Sequence, residues 1–132
     1  MKFLKRIFGI SETRTPSDDA CWEYANQEIR LDLNRAPELG RPGSALRLEG
    51  KGLPVRTLVV HGKDGDFHAF ANRCTHMGRR IDILPGTDRI ECCSISKSTF
   101  NYDGDPMGGA ARKHLRVFSV AASGKELKIA LR

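Results

Sequence analysis

From Glu28 onward the chain repeats with a period of two, and this constrains the fold more than any other feature. In "EIRLDL" Ile29, Leu31 and Leu33 alternate with charged residues, and in "ALRLEG" Leu46 and Leu48 do the same. Alternation of this kind puts every second side chain on one face of an extended segment, as a half-buried strand requires. "RTLVVHGKDGDFHAF" reads as two strands around Lys63-Asp64-Gly65, where Asp-Gly tolerates positive φ. "RIECC", "STFNYDGD" and "LRVFSVAASGKELKIAL" supply further strands, the last a hairpin turning at Ser123-Gly124. Thirteen glycines and six prolines provide the turns, so the expected class is all-β, a small antiparallel sandwich or barrel.

Residues before Glu28 read differently. "TPSD" has the form of a capping box, with Thr15 as cap, Pro16 in the first turn and Asp18 reaching back. A short helix to about Gln27 is expected, with Ala20 and Tyr24 inward and Cys21 a small packed side chain. In residues 1–10, Phe3, Leu4, Ile7 and Phe8 share a helical face edged by Lys2, Lys5 and Arg6. That composition suits a frayed or packed end, or peripheral contact with a membrane surface. The expected division is therefore 1–27, a basic segment with a short helix, and 28–132, one domain.

Composition narrows the function. Hydrophobic residues at 39% and charged residues at 29% allow one modest core. The net charge of +6 suits an acidic partner, but no Lys/Arg run reaches five residues, so nucleic acid is not expected. No secretory signal is visible, because Lys5 and Arg6 interrupt the apolar N-terminus, and the cytoplasm is the expected compartment. There, Cys clustered with His points to metal or redox chemistry before a structural disulfide.

The chemistry lies in "CTHMG" and "CSIS". Cys74 and His76 are two apart, so an extended backbone projects both from one face. Cys93 and Ser96 are three apart, a spacing that bends around a centre when the chain turns. The intervening residues 77–92 are enough to return the second loop beside the first. Two such half-sites commonly make a four-ligand metal site. The candidate ligands are Cys74, His76, Cys93 and Ser96.

This pattern, with Phe100 four residues after Ser96 and the turn-rich "NYDGDPMGGAARKHLRVFSV" downstream, resembles the Rieske [2Fe–2S] domain. The resemblance covers roughly residues 28–132. It implies a Rieske-type fold with a cluster-binding subdomain, Cys74 and Cys93 on a buried iron, and His76 on an outer one. Ser96 departs from the pattern, standing where the second histidine is usual. Lys97 replaces a usual glycine, and no proline follows Cys93. Arg79 and Ile95 occupy the positions that carry a bridging disulfide in the high-potential members, so the likeness is to the soluble ferredoxin branch. Two imidazoles in place of thiolates lift such clusters to roughly −150 to +300 mV, and a serine oxyanion would lower that potential. Water or Cys92 are the other candidates for the fourth position. For Cys92, burial as a strand residue is the simpler reading, since adjacent residues face opposite ways.

The resemblance implies a [2Fe–2S] protein passing single electrons between partners such as an oxygenase or reductase, itself no stand-alone enzyme. An altered or labile cluster, a cluster-free interaction subunit like the small subunit of assimilatory nitrite reductase, and zinc stay open as alternatives. His114 could in principle lie close enough to replace the missing imidazole, although a surface position on a basic strand is the simpler expectation. His61 and His68 are expected on the exposed edge of their hairpin. Gly78 should permit a tight turn, and Arg79 and Arg80 either charge the site or are ordinary loop cations. Trp22, Tyr24 and Tyr102 read as packing residues.

Overall fold

The computed structural model describes residues 13–75, 78–92, 98–109 and 111–131. Among these are eleven strands: β1 (Trp22–Ala25), β2 (Glu28–Asp32), β3 (Ser44–Leu48), β4 (Thr57–His61), β5 (Phe67–Ala71), β6 (Ile81–Leu84), β7 (Arg89–Cys92), β8 (Thr99–Phe100), β9 (Pro106–Gly108), β10 (Val117–Ser123) and β11 (Glu126–Ala130). They form a seven-stranded sheet ordered β1-β2-β11-β10-β5-β4-β3 and a four-stranded sheet ordered β6-β7-β8-β9. Every pairing is antiparallel. β10 switches partners along its length: Val117 and Phe118 pair with β5, whereas Ser119 to Ser123 pair with β11. The expected all-β antiparallel architecture is present.

Strand β4 explains how the two sheets are joined. Thr57, Leu58, Val59 and Val60 are all fully buried, so both faces of the strand are covered. Val59 joins Ile29, Leu31, Leu46, Leu48, Leu127 and Ile129 in a first core. Leu58 and Val60 turn the other way, into a second core with Phe70, Ile81, Ile90 and Phe100. The run "TLVV" is continuous rather than alternating because a doubly covered strand buries both sets of side chains. The second core fastens the small sheet onto the large one.

The helix expected to run to Gln27 is a single 3-10 turn, Asp19–Cys21. Its cap is Asp18 rather than the expected Thr15, accepting from Ala20 N at 3.0 Å. The chain then extends, because Trp22 and Tyr24 favour a pleated surface, and β1 pairs with β2 across Asn26 and Gln27 at φ +53° and +60°. Cys21 is buried at 2% exposure, and burial raises its thiol pKa. Trp22 is also buried and lies under the Lys51 ammonium, 4.3 Å from its ring centre. The N-terminal stretch closes the free edge of β3, with Arg47 N–H donating to Arg14 O at 2.8 Å. The expected amphipathic segment at 1–10 lies outside the described residues.

His61 and His68 are not on an exposed edge. β4 lies between β3 and β5, so His61 is half-buried, stacked on Phe67 at 4.3 Å and donating through Nδ1 to Leu39 O at 2.9 Å. His68 stacks on Tyr102 at 4.3 Å and meets Asp64 at 2.9 Å. Tyr102 comes from beyond β8, so this contact is a second tie between the sheets.

Candidate metal centre

The register of the small sheet sets the strand ends that flank the two boxes side by side. Ile81, the first residue of β6, faces Cys92, the last of β7. The segment entering β6 and the one leaving β7 therefore start side by side at one end of the hairpin. Asn72 Oδ1, fully buried, accepts from Ile81 N at 2.7 Å and fixes the entry to β6. Cys92 N–H donates to Ser98 O at 2.7 Å, closing the second loop at its base. A third segment joins them: Ser98 Oγ accepts from Ala111 N at 3.0 Å, and Thr75 Oγ1 donates to Lys113 O at 2.8 Å.

Cys74 is 1% exposed and belongs to the second core. Its N–H donates to Arg79 O at 2.7 Å, and its carbonyl accepts from Gly78 N at 2.8 Å, so the first loop folds back on itself. Gly78 makes this turn at φ +70°, with the Arg73 guanidinium 3.3 Å from where a Cβ would stand. A side chain there would be strained, as the sequence suggests. Arg56 clamps the loop from outside, donating to Asn72 O at 3.0 Å and Gly78 O at 3.1 Å. Arg80 makes a two-pronged contact with Glu49 at 2.7 and 2.9 Å, which holds the Glu49 carboxyl below its ordinary pKa. Arg80 is thus matched by a carboxylate and braces the loop.

Of the four expected ligands only Cys74 is among the described residues; His76, Cys93 and Ser96 lie outside them, as do Ile95, Lys97 and Ala110. Among the described residues no group of three or more potential ligands gathers at one point. Cys92 is fully buried in the second core, as expected of a packed strand residue. Phe100, also fully buried, packs in the same core. His114 is an exposed side chain whose Nε2 meets Asp105 Oδ1 at 2.7 Å, in keeping with the surface reading. It lines a cleft of about 550 Å³ beside Cys74, together with Arg73, Thr75, Lys113 and Arg116.

Sequence reasoning missed the braces Arg56, Asn72, Thr75 and Ser98. Their partners are 9 to 38 residues distant in the chain, and no local pattern signals them. The residues present fit the expected group in two respects. A thiol is held out of water at the foot of one loop, and the base of the second loop is pinned beside it. Thiolate and imidazole donors are those that such a cluster takes. No helix of the described residues is long and apolar enough to cross a membrane.

Comparison with known proteins agrees with this fold. The chain is similar to a chain of the complex of reduced oxygenase and oxidised ferredoxin in carbazole 1,9a-dioxygenase, with 25% identity and a TM-score of 0.62, covering 80% of this chain and 95% of that one. The ferredoxin of carbazole 1,9a-dioxygenase from Nocardioides aromaticivorans IC177 has 20% identity and a TM-score of 0.65, with 81% and 100% covered. The plasma-membrane Rieske protein of Synechocystis PCC 6803 has 23% identity and a TM-score of 0.53, with 63% and 84% covered. No curated protein matches the sequence. The profile of the Rieske [2Fe-2S] domain matches residues 35–119, which span β3 to β10 and every loop that meets at the candidate site. The chain belongs to the Rieske [2Fe-2S] domain family.

Proposed function

We propose that the protein is a one-electron carrier, holding a [2Fe–2S] cluster between the loops at 74–79 and 93–97 and exchanging electrons with a protein partner. The partner would be an oxygenase or reductase component, in the cytoplasm. The observation that supports this reading is the pairing of Ile81 with Cys92, which sets the start of β6 beside the end of β7, with Cys74 buried in the same core as both. A ferredoxin of similar fold serves a dioxygenase in carbazole 1,9a-dioxygenase, which supports the choice of partner.

In this reading Cys74 and Cys93 hold the inner iron, His76 the outer one, and Ser96 stands at the fourth position. When bound, the cluster supplies reversible uptake of a single electron. The chain's own residues do the rest. The second core keeps water from Cys74, and Arg56 and Asn72 hold the first loop in shape. Ser98 and Thr75 tie the second and third segments to it. A hard oxygen donor at Ser96 would put more negative charge on the site than an imidazole, and so would lower its potential.

Iron and acid-labile sulfide content, with the visible spectrum of anaerobically purified protein, test the reading. Bound iron and sulfide with colour are expected, and Cys74→Ser should remove them. Ser96→His should raise the potential. Colourless, iron-free protein would leave a cluster-free interaction subunit as the function; iron surviving Cys74→Ser would overturn the ligand assignment.

A further inference from the structure

We infer that the cleft beside Cys74 is a docking site for an acidic protein surface. This inference rests on the proposed function for its role in electron exchange, though not for the binding itself. The cleft holds about 550 Å³ and is lined by Arg73, Lys113, His114 and Arg116, with Val55 and Ala71 among its apolar residues. No carboxylate lines it.

The argument is one of charge segregation. Elsewhere Arg30, Arg35, Arg47, Arg80 and Arg89 each meet an Asp or Glu of the chain, and cations that meet none among the described residues, such as Arg41 and Lys125, lie outside this cleft, which gathers three. Arg73, Lys113 and Arg116 are all exposed, and none is within ion-pair distance of a carboxylate among the described residues. Asp105 does approach from the turn beyond β8, but it meets His114, the weakest cation of the set. Arg116 is kept in place over the Phe118 ring at 4.9 Å, and Lys113 by its carbonyl on Thr75. The cations are therefore presented on fixed backbone rather than on a mobile tail. Three like charges without counter-charges attract an anionic surface and speed encounter in a salt-dependent way. Their position decides what the partner would reach. Arg73 precedes Cys74 directly, and Lys113 is tied to the loop that carries it, so an acidic surface seated here lies against the candidate metal loop.

The partner is unidentified, so the probe is a fluorescein-labelled decaglutamate peptide, followed by anisotropy with the full chain at several salt concentrations. Saturable binding that weakens as salt rises is expected. Arg73→Gln, Lys113→Gln and Arg116→Gln should each weaken it by about two- to fivefold, the range that one exposed ion pair supplies. Arg41→Gln and Lys125→Gln, which do not line the cleft, should leave it unchanged. Equal loss in the control variants, or no saturable binding, would overturn the site. Tighter binding of a ten-nucleotide oligothymidylate than of the peptide would overturn the choice of a protein partner. Iron, sulfide and colour measured on the same sample separate the two claims: cluster without peptide binding sinks the docking site alone, and peptide binding without cluster sinks the carrier reading alone.

Discussion

Replacing Ser98 with alanine should loosen the junction of the loops without collapsing either core. Ser98 is fully buried, and its Oγ accepts from the buried N–H of Ala111 at 3.0 Å. Alanine removes one oxygen and leaves that N–H with no acceptor and no water. A donor abandoned in this way costs about 1–3 kcal/mol, and the lost volume adds little. With a urea slope of about 2 kcal/mol per molar for a protein this size, the midpoint should fall by roughly 0.5–1.5 M. The loss should also be local. Hydrogen exchange at the Ala111 amide should quicken by roughly fivefold to 150-fold, the same energy expressed as an opening equilibrium. Amides of β2 and β11 should slow or quicken only with global stability. A midpoint shift below about 0.2 M, with Ala111 exchange unchanged, would show that this hydrogen bond does not hold the second and third segments together.

Gly104→Ala should be far more damaging than its surroundings suggest. An added Cβ would lie 2.2 Å from Leu115 O at φ +84°, so a loss of about 3 kcal/mol or more is expected by thermal denaturation, from strain and clash together. Glu49 gives a pH dependence. Arg80 depresses its folded pKa below the ordinary 4.5, so its contribution is complete above that value and is lost as pH falls through the depressed one. Glu49→Gln should accordingly lower stability at neutrality, where the contribution is complete, change little in acid, and so flatten the acid limb of a stability–pH curve. Lys51→Met should cost about 1–2 kcal/mol in urea, because it removes the cation over Trp22 and the donor to Trp22 O at 2.7 Å.

Most of the strand plan was legible because it arises from burial on one face. Ile29, Leu31, Leu46 and Leu48 alternate in sequence and are fully buried in the structure. The turn at Lys63-Asp64-Gly65 declared itself through Gly65, which sits at φ +86°. The β1–β2 hairpin did not, because the capping box read at Thr15 gives way to a single turn capped by Asp18. Trp22 and Tyr24, on the strand after that turn, and the glycine-free reversal at Asn26-Gln27 carry no strong mark. The histidines were misplaced for a related reason: an edge is a property of sheet order, and no local pattern shows that β3 pairs with β4. At the candidate centre, spacing alone brought Cys74 forward. The supports around it could not be read, since Arg56 to Gly78 and Thr75 to Lys113 are contacts made by the whole topology.

Because β4 serves as a wall for both interiors, the lobe built on the small sheet cannot be transplanted as a cassette. Cut away, it would leave Leu58, Val60 and Phe70 facing water on the donor scaffold and Ile81, Ile90 and Phe100 bare on the graft. A recipient would have to offer a matching two-sided ribbon, so this lobe is inherited together with its host sheet.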